Sequence, residues 1–195
     1  MGHLVIAATA LALLLSTLGG AAAQAPVTLN DATGTPVARA ERRGESVAVR
    51  SGTDQPLGEI KIESDRVKLR DAGGVERWKV KRKDYGAEIE DGGGQRLFRI
   101  RKSGTDEWKL EDASKTVLAR VKPKDTGYEV RDAAGATIAK VKRRQGRLVF
   151  ESEAGARLGE LAGTDDARAG LWFALPRFSP LERAALWAFF ANVLK

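Results

Sequence analysis

One motif returns seven times in this chain at a nearly constant interval. A polar turn opens at Asp31, Ser51, Asp71, Asp91, Asp112, Asp132 and Ser152, spaced 20, 20, 20, 21, 20 and 20 residues apart. Such a repeat constrains the fold more tightly than any composition. Each unit is one supersecondary element that must bury its apolar face against its neighbours. Asp and Ser open the turns because their side chains can accept a hydrogen bond from the backbone a little further on. The glycines that close most of them tolerate positive φ.

The flanks of the turns read as strands. Two and four residues before each turn the chain is apolar: Val27/Leu29, Val47/Val49, Val67/Leu69, Ala87/Ile89, Trp108/Leu110, Tyr128/Val130 and Leu148/Phe150. The residues between are mostly polar, as at Thr28, Lys68, Glu88, Lys109 and Glu129. That is period two, with one buried face. A second strand follows each turn. Nine residues past the turn start lie Ala40, Ile60, Val80, Ile100, Val121, Val141 and Leu161; six past it lie Val37, Leu57, Arg77, Leu97, Leu118, Ile138 and Leu158. Offsets of six and nine do not share a strand face. Either a bulge intervenes or both faces are partly covered.

Turn residues also join one hairpin to the next, as at Arg43-Gly44, Asp84-Tyr85-Gly86, Ser103-Gly104, Asp125-Thr126-Gly127 and Gln145-Gly146. The simplest product is a mainly β fold, an antiparallel meander of 12–14 short strands over residues 26–161. A sheet that large closes or splits, and closure removes its edges. A barrel that wide cannot be filled by its own side chains. It needs water, a ligand or a plug.

The plug is at the end of the chain. Ser179 can cap a helix, Pro180 suits its first turn, and Glu182 completes a capping box. From Ala184 to Leu194 the segment is apolar on nearly every side, as a helix buried all round would be. Residues 179–195 are therefore expected to thread the barrel as a central helix. The helix is too short to span a bilayer, which takes about 20 residues. Ala184, Ala188 and Ala191 would approach one wall, with Trp187, Phe190 and Leu194 opposite. Small residues at one strand register (Ala38, Gly58, Ala119, Ala139, Gly159) leave room, and Trp78 and Phe98 replace them in two units. Residues 162–178 are expected to cross the mouth, with Leu171, Trp172, Phe173 and Pro176 packed there.

Residues 1–23 read as a signal peptide. Leu4–Leu15 is an apolar run, and Ala21 and Ala23 suit cleavage before Gln24. The stretch before the run has no Lys or Arg, so an uncleaved membrane tether is the alternative. The exported reading places the protein in the periplasm or outside the cell. Residues 1–23 hold the only histidine and no Asp, Glu, Lys or Arg, so the mature chain keeps the net charge of +7.

That composition narrows the chemistry. Without cysteine, and with histidine confined to the leader, the mature chain can build no nucleophilic triad, zinc site or disulfide. Asp165-Asp166 and Glu151/Glu153 read as solvated carboxylates. Asp91-Gly-Gly-Gly94 lacks the Lys-Ser/Thr of a phosphate-binding loop and precedes a strand, so it reads as a turn. No catalytic residue, metal or cofactor is expected.

Basic residues cluster in the connectors at one phase of the repeat: Arg42-Arg43, Lys81-Arg82-Lys83, Arg101-Lys102, Lys122 and Lys124, and Lys142-Arg143-Arg144. In a meander this phase forms one rim and the Asp-Gly turns form the other. From Lys81 to Arg144 these residues are the candidate anion- or lipid-binding set. One reading is attraction to anionic lipid, a membrane surface or an envelope polyanion. The plainer one is that they protect strand ends and keep the barrel soluble. The alternative function is a structural or protein-interaction module of the bacterial envelope with an envelope protein as partner. Nucleic acid is not expected, because no stacking surface accompanies the charge.

Seven hairpins followed by one apolar helix resemble, by pattern alone, the tubby C-terminal-like superfamily, which includes tubby proteins, phospholipid scramblases and LURP-one-related proteins. The resemblance covers residues 26–195 and implies a closed barrel threaded by its last helix, with a link to phosphoinositides or membrane lipids. It also implies twelve strands, with one hairpin irregular or outside, the first being the candidate. Tyr128-Glu-Val-Arg-Asp132-Ala-Ala-Gly135 is similar as well to the YD repeats of Rhs-type toxin shells, which form longer spiralling sheets.

Overall fold

A computed structural model describes residues 25–105 and 107–194. The expected signal peptide at residues 1–23 lies outside the described residues.

Seven hairpins follow one another: β1 (Val27–Asp31) with β2 (Pro36–Arg43), β3 (Ser46–Ser51) with β4 (Pro56–Ile62), β5 (Arg66–Asp71) with β6 (Glu76–Lys83), and β7 (Gly86–Asp91) with β8 (Arg96–Ser103). Then come β9 (Glu107–Asp112) with β10 (Val117–Lys124), β11 (Gly127–Asp132) with β12 (Thr137–Arg144), and β13 (Arg147–Glu151) with β14 (Arg157–Ala162). Every strand pairs antiparallel with its sequence neighbours, and β1 pairs with β14 to close the barrel. The expected meander is therefore a closed barrel at the upper end of the range, with fourteen strands. The first hairpin is not outside it. It is the piece that shuts it, with Leu29 opposite Leu161 on one side and Ala38 on the other.

The register resolves the offsets of six and nine. In every hairpin the ladder slips by one residue beside the turn. Val49 faces Gly58 while Arg50 faces Pro56, which leaves Leu57 unpaired. The same slip leaves Val37, Arg77, Leu97, Leu118, Ile138 and Leu158 unpaired. The residue six past each turn start is thus a β-bulge, and strand alternation restarts one residue later. Ala40, Ile60, Val80, Ile100, Val121, Val141 and Leu161 then all face inward and are buried.

The lumen holds two segments of chain. α2 (Pro180–Asn192) leans on the wall formed by β2–β6. Its cap forms as expected: the Ser179 amide donates to Glu182 Oε2 (2.7 Å) and the Glu182 amide to Ser179 Oγ (3.3 Å). Every residue from Ala184 to Phe190 is buried. Gly58 marks the close approach on this side, because a Cβ there would lie 2.1 Å from Arg70 O and 3.0 Å from Leu181 Cδ2. Phe190, on the far side of α2, meets Trp108 edge-on at 5.4 Å.

The segment expected to cross the mouth does more than that. α1 (Ala167–Gly170) and the 3₁₀ turn Leu171–Ala174 lie along β11, β12 and α2, with Leu171, Trp172 and Phe173 buried. Trp172 stacks on Phe190 at 4.6 Å. A Cβ on Gly170 would sit 2.0 Å from Leu148 Cδ1, so a side chain here would require Leu148 to shift. Phe178 then packs edge-on against Trp78 (5.4 Å) and Phe98 (5.6 Å) at the turn end. The small-residue slots therefore serve two segments rather than one off-centre helix: Ala38 and Gly58 stand on the wall beside α2, and Ala139 on the wall beside α1. Each fully buried large apolar side chain is worth about 1.5–3 kcal/mol, so this filling supplies much of the stability.

Candidate functional site

The repeat sorts the chain ends of its strands into two rims. The seven Asp/Ser turns lie at one end of the barrel and the six connectors at the other. α2 begins at the turn rim and reaches the connector rim at Asn192, whose side chain accepts from Arg42. The structure thus places all ten candidate cations, from Lys81 to Arg144, at or just below the connector rim.

They are not equivalent. The outer wall carries glutamates in the adjacent strands, and these neutralise half of the set. Lys81 pairs with Glu90 (2.7 Å), Lys83 with Glu88 (3.6 Å), Arg101 with Glu111 (3.8 Å), Lys124 with Glu129 (3.7 Å) and Lys142 with Glu151 (2.5 Å). Glu90, Glu111 and Glu129 are buried beneath these side chains. The Arg131 guanidinium bonds Glu129 and holds its carboxyl below the usual range, against the opposing effect of burial. The carboxyl of Asp65 lies below its usual range chiefly through its bond from Arg66, and the charge of Arg82 adds to this.

Arg143 and Arg144 differ from these. Both are exposed, and neither has a carboxylate within ion-pair distance among the described residues. With Arg147 and Arg157 they line a groove of about 610 Å³: Arg144 pairs across the strands with Arg147 on the outer face, whereas Arg143 pairs with buried Leu148 and stands at the mouth of the barrel. The one carboxylate in that groove is Glu160, buried, 3.3 Å from Arg147 Nη1 and 3.0 Å from Arg157 Nη2. Of the four guanidiniums that line the groove, two pair with this carboxylate. Arg143 and Gln145 also border a recess of about 700 Å³, which brings in Lys124, Asp125, Tyr128, Asp166 and Arg168.

Geometry fixes this patch. The β12–β13 connector turns through Gln145 and Gly146, both at positive φ. The pairing of Arg143 with Leu148 and of Arg144 with Arg147 sets the two strands' basic ends side by side. Neighbouring strands lie about 4.8 Å apart, so the guanidiniums of Arg144 and Arg147 share one surface. Arg147 and Arg157 escaped the sequence reading because they do not recur at the connector phase. The strand register sets Arg147 beside Arg144, and Arg157 reaches the groove from the turn end of β14.

Among the described residues no group of three or more His, Asp or Glu side chains is placed to hold a metal, and no helix is long and apolar enough to cross a membrane. No family model and no curated protein sequence matches the chain. Among solved structures, an X-ray structure of a protein from Arabidopsis thaliana is similar over 78% of this chain and 90% of that one, at 14% identity and a TM-score of 0.41. Likeness of that degree assigns neither family nor function.

Proposed function

We propose that this barrel is a non-enzymatic, exported binding module that docks on anionic lipid head groups through its basic rim, with the arginines of the last two hairpins as the main contact. The observation that carries this reading is the groove lined by Arg143, Arg144, Arg147 and Arg157, whose one carboxylate, Glu160, pairs with Arg147 and Arg157 alone. Cations that only protected strand ends would be expected to resemble Lys81 or Lys142, each closed by a neighbouring glutamate. Arginine suits the role because its planar fork can bind phosphate oxygens in pairs. The pattern resemblance to tubby-like and scramblase-like barrels accords with it.

Flotation of the protein with vesicles of phosphatidylcholine, with and without phosphatidylglycerol, tests the reading. Binding is expected only to the anionic vesicles and is expected to weaken as salt rises, since screening shortens the reach of exposed charges. Each basic residue near an anionic surface contributes about 1 kcal/mol. Arg143→Gln with Arg144→Gln should therefore weaken binding by about 30-fold. Equal flotation with neutral vesicles, or none with either, overturns the proposal in favour of a protein-interaction module.

A further inference from the structure

The opposite rim carries a different kind of site. Beside the turns of the first and last hairpins lies a cleft of about 610 Å³, bordered by Val37, Ile138, Phe150, Leu158, Phe173 and Pro176. Val37, Ile138 and Leu158 are bulge residues, excluded from the ladder and so free to stand away from it. Val37 is 37% exposed and Leu158 47%; among the described residues Val75, on another turn, is the other exposed large apolar side chain. The cleft's size falls within the range of about 300–1,000 Å³ typical of small-molecule sites.

One cation projects into this apolar cleft. Arg183, on the first turn of α2, lines it and is half-buried. Its Nε donates to Phe178 O (2.7 Å) and its Nη1 to Phe173 O (3.0 Å), both neutral carbonyls. It has no ion pair among the described residues. Asp31, also at the cleft, is committed elsewhere: it accepts from the Thr33 amide (2.8 Å), the Thr33 hydroxyl (2.6 Å) and the Thr35 amide (3.0 Å). The neighbouring Glu182 is held in the capping box. Burial pulls the Arg183 pKa down, and Glu182 only partly offsets this. A charge taken partly out of water and given no counter-charge favours an incoming anion.

We infer that this cleft binds the single alkyl chain of a long-chain fatty acid, with the carboxylate on the free guanidinium face of Arg183. The apolar lining suits the alkyl chain, and the carboxylate supplies the missing counter-charge through charge-assisted hydrogen bonds. The site is at the turn rim, away from the basic connector rim, and does not depend on the reading of that rim.

Calorimetric titration of the full chain with laurate and with dodecanol, both below their aggregation limits, tests the inference. Laurate is expected to bind saturably at one site. Dodecanol has the same chain without the charge and should bind about 10- to 100-fold more weakly. Leu158→Asp and Val37→Asp alter exposed bulge residues, so the barrel should keep its unfolding temperature. Each should abolish laurate binding, whereas Arg143→Gln with Arg144→Gln should leave it unchanged. Arg183→Lys, which keeps the charge, should retain more laurate binding than Arg183→Met. Equal affinity for laurate and dodecanol overturns the charge recognition. Unchanged laurate binding in folded Leu158→Asp, or no saturable binding to the unmodified chain, overturns the site.

Discussion

At the turn rim, Asp71 accepts from the amides of Gly73 (3.0 Å) and Val75 (3.0 Å) and from Arg77 Nε (2.7 Å). At the connector rim, Arg143 and Arg144 form no ion pair among the described residues. The same 20-residue repeat produces both ends, yet its polar side chains are used differently. The turn carboxylates are spent on the local backbone: Asp91, Asp112 and Asp132 each accept from the amide four residues on. Ser51 and Ser152 do so with their hydroxyls. The turn rim is also sealed from within by Phe178 between Trp78 and Phe98. At the connector rim Arg42 meets Asn192 at the end of α2, and Ala167 and Arg168 of α1 lie beside the β10–β11 connector. One rim spends its carboxylates on the local backbone, and the other leaves Arg143 and Arg144 without an ion pair among the described residues.

The most severe break in that comparison is to remove what both rims enclose. Deleting residues 179–195 should leave an insoluble or molten chain, because a fourteen-strand wall cannot fill itself. Loss of near-ultraviolet circular dichroism with retained strand signal is the expected result, and a cooperative, well-folded truncate would refute the plug. Next in size is the contrast between the two seals. Phe178→Ala should cost about 3–5 kcal/mol in urea unfolding, as for other buried aromatics. Asn192→Ala should cost about 1 kcal/mol or less, a typical net hydrogen-bond effect. Equal costs would mean that the rims are not closed differently.

Acid should act mainly through bonds the fold makes to carboxylates. The carboxyls of Asp31 and Asp112 are held below their usual range first by the hydroxyls of Thr33 and Ser114, and that of Asp71 first by the Val75 amide. A pKa depressed in the folded chain means that the unfolded chain takes up protons first. The contribution is therefore complete well above the unfolded value of about 3.9 and is lost as pH falls through the folded values. The urea midpoint should be nearly flat between about pH 7 and 5 and fall below about pH 4.5. Asp31→Asn, Asp71→Asn and Asp112→Asn together should flatten that fall and leave vesicle binding untouched. Glu63, Asp65, Glu88 and Glu129, depressed chiefly by neighbouring donors despite burial, would account for the remaining slope. An unaltered acid limb in the triple variant would sink the assignment of these turns.

Much of this was legible before any coordinates. The turn spacing, the period-two flanks and the Ser179 cap are local signals, and closure follows from strand number. The column at Val37, Leu57 and Leu158 was visible too, but its meaning was not. A bulge residue breaks alternation without naming the face it takes, and Arg77, which breaks that column, is the member most compatible with water. The descent of Ala167–Phe178 into the lumen left no periodic trace. α1 and its 3₁₀ turn are too short to show one, and Gly170 reads as a loop residue until Leu148 is found against it. The candidate cations were legible as a set, whereas their pairing was not. Whether Lys142 meets Glu151 while Arg143 finds no ion pair among the described residues depends on how neighbouring strands align, which no single strand encodes.

The finest test of the contrast between rims adds net positive charge to the proposed binding groove without adding a residue. Glu160 lies under Arg147 and Arg157, on the wall below Arg143 and Arg144. Glu160→Gln keeps the shape and one acceptor but removes the only carboxylate in the groove. Two guanidiniums lose their counter-charge, so folding should weaken modestly. Anionic vesicles should then bind more tightly, by less than about tenfold, the worth of one charge at such a surface. Stability and binding would thus move in opposite directions at a single atom pair. If binding fell together with stability, Glu160 would be orienting Arg147 and Arg157 for the ligand rather than competing with it. The groove would then be a pre-shaped site instead of a reservoir of charge.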